Sequence, residues 1–97
     1  MTAYNVVRFR VKPGKDQEVM DYWRGTERPA GGRKGEIIKT GERSYCFIGE
    51  WNSMAAIVAA RPEMIANLDR VRGLLEDLGD DIGVTDAVSG DVVMTIG

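Results

Sequence analysis

The chain has 97 residues and is expected to form one domain over residues 1–97. Thirteen Lys and Arg residues stand against fifteen Asp and Glu residues, and the net charge of −2 argues against general binding to a nucleic-acid backbone. No apolar run approaches the roughly 20 residues that span a bilayer, so no membrane association is expected. Because so small a chain has a thin core, a partner subunit would add stability.

Histidine is absent and cysteine occurs once, which limits the available chemistry. Catalysis by Ser/His/Asp or Cys/His groups is excluded, and a structural zinc site has no plausible set of ligands. We therefore expect neither a metal nor a tightly held cofactor. The single Cys46 cannot form a disulfide within the chain, and a reducing cytosol is the expected compartment.

The first half of the chain predicts a strand, a helix and a hairpin. β-branched and aromatic residues at 4–11 predict a strand, and an apolar stripe at helical spacing predicts a helix over residues 16–25. Glycines and a proline then indicate a loop over residues 26–35. Two further strands are predicted at 36–40 and 44–51, joined by a three-residue turn that contains glycine.

The second half predicts a helix and a final strand. The polar pair Asn52-Ser53 is a suitable N-cap for the helix that follows. A proline disfavours helical angles in the residue before it, so Pro62 predicts either a kink or the start of a new helix. The apolar stripe continues until Gly79, which is typical of a helix end. Residues 80–90 are polar and turn-rich, and residues 91–96 are predicted to form the last strand.

This order of elements predicts an α+β fold of the ferredoxin-like βαββαβ type, with a four-stranded antiparallel sheet and two helices on one face. Asn5, Val7 and Phe9 alternate to one face of the first strand. We assign that face to the helix side, because the two apolar residues need the helical stripes as neighbours. The other face keeps an apolar patch that includes Val6, and such a patch normally marks an interface. We predict a homodimer through this open sheet face, with roughly 800 Å² buried per partner.

Two segments resemble the antibiotic biosynthesis monooxygenase-like proteins of the dimeric α/β-barrel superfamily. They are the strand-to-helix turn at Phe9–Lys15 and the strand end at Ile48–Ser53. The resemblance spans nearly the whole chain and implies a dimeric α/β barrel. It also implies a cofactor-independent monooxygenase that acts on aromatic or quinone-like small molecules. The haem-degrading branch of the family is not expected, because the place of its iron-binding histidine falls at Ala60 here.

Five residues are candidates for substrate binding, and each has a structural alternative. Asn5 resembles a pocket-facing asparagine of some family members, but a buried amide is also satisfied by bonding to the backbone. Trp51 lines an aromatic pocket or packs as core. Tyr22 and Trp23 lie about 100° apart on a helix, so one of them is expected at a pocket mouth or subunit contact rather than in a broad core stripe. Arg61 binds an anionic substrate or is a surface residue.

Three functions remain open from the sequence. The first is an oxygenase-like enzyme, in which a carbanionic aromatic substrate meets dioxygen in a dry, shaped site. No catalytic residue is assigned, and without histidine the base would be Glu50, a tyrosine or water. The second is a non-catalytic module that binds a small molecule or regulates on the same scaffold. The third is a structural role, which is disfavoured if Asn5 and an aromatic side chain converge in an ordered pocket between sheet and helices.

Overall fold

Four strands and two helices alternate in a computed structural model that describes all 97 residues. The elements are β1 (Ala3–Arg10), α1 (Asp16–Arg24), β2 (Gly32–Gly41), β3 (Ser44–Trp51), α2 (Met54–Val71), a 3₁₀ turn (Arg72–Leu74) and β4 (Thr85–Asp91). The sheet is antiparallel throughout, with the strand order β2-β3-β1-β4. This is the predicted ferredoxin-like βαββαβ fold. Neither helix combines the length and the apolar character that a membrane span requires.

The register arranges the strands in rows across the sheet, and alternate rows face the helices. One end row contains Ala3 and Trp51, and the other contains Phe9 and Tyr45. The two middle rows are Gly35, Gly49, Asn5 and Ser89, followed by Ile37, Phe47, Val7 and Ala87. Phe9 packs against Val19 of α1, and the Asn5 amide contacts Met64 of α2. The predicted helix-facing side of β1 is therefore confirmed.

The buried core consists of two clusters at opposite ends of this helix-facing surface. The first cluster, which we call the packed end, contains Phe9, Val11, Val19, Tyr45 and Leu75. The second cluster contains Ala3, Trp51, Ile57 and Ala60. The two middle rows contribute no buried member to either cluster, so the surface between the clusters is incompletely filled.

Helix α2 begins where the sequence predicts and continues through its proline. The Ser53 hydroxyl accepts a hydrogen bond from the backbone N–H of Ala56 at 3.1 Å, which confirms the predicted N-cap. Pro62 lies inside the helix, so no new helix begins there. Pro62 is solvent-exposed, and the carbonyl that loses its bonding partner at this point is within reach of water.

The predicted end of this helix at Gly79 is wrong. α2 ends at Val71, and after the 3₁₀ turn the chain becomes extended at Leu75. Leu75 forms an antiparallel bridge with Val11, flanked by backbone hydrogen bonds of 2.8 and 2.9 Å. This pairing buries Leu75 to 4% exposure in the packed end, which outweighs the helical periodicity of the segment.

The last strand lies earlier than predicted. β4 covers Thr85–Asp91, whereas the sequence predicted residues 91–96, and the segment 80–90 was expected to be turn-rich. β4 pairs with β1 along its whole length, and the N–H of Val92 makes a final bond to the Thr2 carbonyl at 2.9 Å. Because β1 begins at Ala3, opposite Asp91, the apolar residues that follow Val92 have no neighbouring strand, and Val93 is 93% exposed.

The edge strand β2 is longer than predicted. It begins at Gly32 rather than at residue 36, because Gly32 pairs with Trp51 at the end of β3. A register shift between Gly32 and Lys34 marks an irregularity in this ladder. The extension brings Arg33 and Lys34 out of the predicted loop and onto the rim of the sheet.

Candidate functional site

An open cavity of about 980 Å³ lies between the helices and the two middle rows of the sheet. Asn5, Val7, Phe47 and Gly49 form part of its floor. Its walls come from the end of α1, the segment between α1 and β2, and residues 57–68 of α2. A cavity of this volume holds an organic molecule of several rings.

The floor of the cavity contains a buried amide whose orientation is set by a tryptophan. Asn5 is 7% exposed, and its Oδ1 accepts a hydrogen bond from Nε1 of Trp51 at 2.7 Å. An indole N–H can only donate, so this bond determines which end of the amide faces Trp51. The amide nitrogen of Asn5 then contacts Sδ of Met64 at 4.0 Å. Sulfur is a weak acceptor, so Asn5 keeps donor capacity for an oxygen atom of a ligand.

Two glycines keep the floor low enough for this arrangement. Gly49 lies directly opposite Asn5 in the register, and a Cβ at Gly49 would lie 2.4 Å from Asn5 Oδ1 and 3.0 Å from Trp51 Nε1. A Cβ at Gly35, the next residue in the same row, would lie 2.9 Å from the Phe47 ring. The Asn5–Trp51 hydrogen bond therefore requires glycine at position 49.

Four of the five candidate residues line the cavity, namely Asn5, Trp23, Trp51 and Arg61. Trp51 is 3% exposed and belongs to the second core cluster, so it serves both as core and as cavity wall. Trp23 is half-buried and also packs against the packed end. Tyr22 is not part of the lining, because its hydroxyl turns to α2 and donates to Asn67 Oδ1 at 2.9 Å.

The candidate base Glu50 is engaged away from Asn5. Its row faces the open side of the sheet, where Oε1 accepts a hydrogen bond from the Tyr4 hydroxyl at 2.8 Å and Oε2 lies 3.7 Å from Arg33. The hydrogen bond to Glu50, together with burial, raises the pKa of Tyr4. No base is therefore placed beside the Asn5 amide. No group of three or more His, Cys, Asp or Glu side chains is arranged to hold a metal ion.

Sequence reasoning missed three residues of the floor and wall, namely Gly49, Met64 and Ser89. A glycine inside a central strand indicates a close approach by another group, and this signal was available at Gly49. Met64 and Ser89 carried no such signal. Ser89 lies in the segment that was expected to be a turn, so its place beside Asn5 became visible only with the register of β4.

No protein-family model matches the sequence, and no relative is found among the curated proteins. Solved structures do resemble it. SnoaB from Streptomyces nogalater, a cofactor-independent oxygenase solved in a mutant form, aligns with a TM-score of 0.75 and 17% identity over 98% of this chain and 96% of its own. A Nitrosomonas europaea protein provisionally described as an antibiotic biosynthesis monooxygenase aligns with a TM-score of 0.76 and 12% identity over 99% and 94% of the two chains.

A further structure with the same fold is a mutant of MhuD with two manganese protoporphyrin IX molecules per active site. It aligns with a TM-score of 0.66 and 19% identity over 98% of both chains. At these identities the comparisons establish the fold and leave the chemistry to the residues of the cavity. The chain has the fold of the antibiotic biosynthesis monooxygenase-like proteins.

Proposed function

We propose that the protein is a small homodimeric enzyme that oxidises an aromatic or quinone-like compound with dioxygen, without a metal or an organic cofactor. The observation that carries this proposal is the buried Asn5 amide, held by Trp51 at 2.7 Å on the floor of a cavity of about 980 Å³. The fold shared with SnoaB supports the same class of reaction. The buried, unpaired Cys46 fits a reducing cytosol as the place of action.

The cavity suits a substrate whose carbanion reacts directly with dioxygen. Val7, Phe47 and Trp23 offer apolar surface to a ring system, and the Asn5 amide donates to the substrate oxygen over which negative charge is delocalised. For an anthrone, the ring CH₂ becomes C=O. One oxygen atom enters the carbonyl and the other leaves as water with both hydrogens, so the four electrons lost by carbon reduce dioxygen completely. No external reductant is needed.

A second candidate function is a non-catalytic module that binds the same class of compound. It is favoured by the position of Glu50, which is bonded to Tyr4 and leaves no base beside Asn5. A purely structural role is less well supported, because Asn5 and Trp51 converge in a cavity between sheet and helices.

Oxygen uptake with anthrone as the probe separates the two candidates. If the protein is an enzyme, we expect it to convert anthrone to anthraquinone faster than spontaneous oxidation does, with one dioxygen consumed per molecule of product. Asn5→Ala should lower the turnover by the equivalent of about 1–3 kcal/mol, the scale for one buried hydrogen bond. Asn52→Ala is the matched control, because Asn52 is exposed and lies outside the cavity.

Binding is measured in parallel with N-phenyl-1-naphthylamine, a neutral aromatic probe that fluoresces in apolar surroundings. Saturable binding without any acceleration of anthrone oxidation would favour the non-catalytic module. If Asn5→Ala lowers the free energy of unfolding and leaves both probe binding and turnover unchanged, Asn5 is purely structural. If N-phenyl-1-naphthylamine does not bind, the cavity does not take aromatic compounds and both candidates fail.

The proposed dimer joins two copies through the open face of the sheet. Val6 and Ile48 are half-buried at its centre, and their row neighbour Val88 is 65% exposed. We expect light scattering to return twice the 10.7 kDa chain mass at micromolar concentration. Val88→Asp should shift the protein to the monomer, while Val58→Asp should not, because Val58 is 52% exposed on α2. A monomeric wild-type protein would refute the dimer.

A further inference from the structure

The cavity lining is cationic although the chain as a whole carries a net charge of −2. Five residues that border the cavity are cationic and three are anionic, namely Arg24, Arg28, Arg33, Lys34 and Arg61 against Glu27, Glu36 and Glu50. Lys34, Glu36 and Glu50 belong to rows that face the open side of the sheet, and without them the balance is four cations to one anion. The negative charge of the molecule therefore lies on the remaining surface. This excess of positive charge attracts an anionic ligand to the cavity.

Three of these five cations are neutralised by ion pairs, and two are not. The pairs are Arg24 with Asp21 at 2.9 Å, Lys34 with Glu36 at 3.5 Å, and Arg33 with Glu50 at 3.7 Å. Arg28 donates only to the backbone carbonyl of Arg33, at 2.8 Å, and Arg61 has no carboxylate within 4.0 Å. Arg28 and Arg61 are thus the two lining cations without an ion pair, and Glu27 is the one lining carboxylate without an ion pair.

Arg61 lies on helix α2, in the same wall of the cavity as Met64, which contacts Asn5. Residues three apart on a helix are neighbours on one side, so Arg61 and Met64 share a side of α2. Met64 contacts the Asn5 amide nitrogen at 4.0 Å. A ligand that accepts a hydrogen bond from Asn5 therefore lies along the same wall as the free charge of Arg61.

We infer that the cavity selects aromatic ligands that carry a negative charge, as a carboxylate, sulfonate or phenolate, and that Arg61 binds this charge. The inference rests on the proposed function, because it takes the binding of aromatic rings in the cavity as given.

The test compares 8-anilinonaphthalene-1-sulfonate with N-phenyl-1-naphthylamine, which has the same ring framework and lacks the sulfonate. We expect the sulfonate to bind about tenfold more tightly at low ionic strength, and to lose this advantage at about 0.5 M salt. Arg61→Gln should weaken sulfonate binding about five- to tenfold and change the neutral probe less than about twofold. Arg70→Gln is the matched control, because Arg70 is exposed on α2, has no ion pair and lies outside the cavity.

The outcomes separate this inference from the proposed function. The proposed function fails if the neutral probe does not bind. The inference alone fails if the neutral probe binds and the sulfonate binds no more tightly, or if Arg61→Gln weakens both probes equally. It also fails if the neutral probe does not displace the sulfonate, because the sulfonate would then occupy a different apolar surface.

Discussion

The packed end and the cavity share one face of one sheet, yet the first is filled and the second is open. At the packed end, the rings of Phe9 and Tyr45 stack with centroids 5.7 Å apart, and the Tyr45 hydroxyl donates to Asp16 at 2.5 Å. This hydrogen bond, together with burial, raises the pKa of Tyr45. Asn5, which lies four residues before Phe9 on β1, is opposite Gly49 and faces the cavity.

The difference between the two regions comes from side-chain size, because the strand pairing is continuous through both. The Phe9 row supplies two aromatic rings, whereas the Asn5 row supplies two glycines and a serine. The Trp51 N–H satisfies Oδ1 of Asn5 and the Asn5 amide nitrogen contacts Sδ of Met64, so no buried side-chain nitrogen or oxygen is left without a partner. A space of this kind lowers stability, since its lining atoms lack packing partners.

The largest expected effect is on stability at the packed end. Phe9→Ala should lower the free energy of unfolding by about 3–5 kcal/mol, because it removes a ring that is 6% exposed. Phe47→Ala is the matched change on the cavity floor and should cost about 1–2 kcal/mol, since the Phe47 ring already borders open space. Urea denaturation followed by circular dichroism measures both. Equal losses would mean that the cavity is as well packed as the core.

The next effect concerns the glycine below the Asn5–Trp51 hydrogen bond. Gly49→Ala should lower the free energy of unfolding by about 1–3 kcal/mol, because the added methyl group overlaps Asn5. It should also abolish binding of N-phenyl-1-naphthylamine. Gly90→Ala is the matched control in edge strand β4, where an added Cβ meets nothing within 4 Å. Thermal unfolding should show little change or a small gain for that variant, and a similar loss in both would contradict the close approach at Gly49.

A smaller effect is expected from the hydrogen bond itself. Trp51→Phe keeps an aromatic ring but removes the N–H that holds Asn5, so it should cost about 1 kcal/mol in stability for the lost bond, beyond any loss of packing. A double-mutant cycle with Asn5→Ala isolates this contribution, and its coupling energy should be about 1 kcal/mol. Additive effects of the two substitutions would show that the pair is not bonded in solution.

The fold could be predicted where local pattern and tertiary pairing agree, and it could not where they conflict. Alternation along β1 placed Asn5, Val7 and Phe9 correctly. The segment 85–91 has a low intrinsic preference for strand, and it becomes one because β1 offers a partner edge. The apolar residues after Val92 have the composition of a strand but no neighbour with which to pair.

Individual residues of the site could be predicted from the sequence, but their contacts with one another could not. Asn5 and Trp51 stood out as an amide in an apolar strand and an aromatic residue at a strand end. Their hydrogen bond depends on the pairing of β1 with β3, which sets Asn5 opposite Gly49 and brings the Trp51 indole across it. Tyr22 and Trp23 illustrate the same limit, because helical geometry separates them without saying which one faces the cavity.

The last prediction is the pH dependence of the packed end, and its effect should be the smallest because the group concerned is partly exposed. Glu76 accepts a hydrogen bond from Arg43, which also donates to the Val11 carbonyl at 2.9 Å. The hydrogen bond from Arg43, with the nearby charges of Arg43 and Arg10, lowers the pKa of Glu76 below its ordinary value of 4.5. A carboxylate with a lowered pKa in the folded state stabilises that state above its ordinary pKa. This contribution is lost as the pH falls from about 4.5 through the lowered value.

Glu76→Gln should therefore flatten the fall in stability on acidification, measured by urea denaturation at a series of pH values. Glu63→Gln, at an exposed position of α2 without an ion pair, should keep the wild-type slope. The same slope in all three proteins would show that the Arg43–Glu76 contact does not contribute to the stability of the packed end.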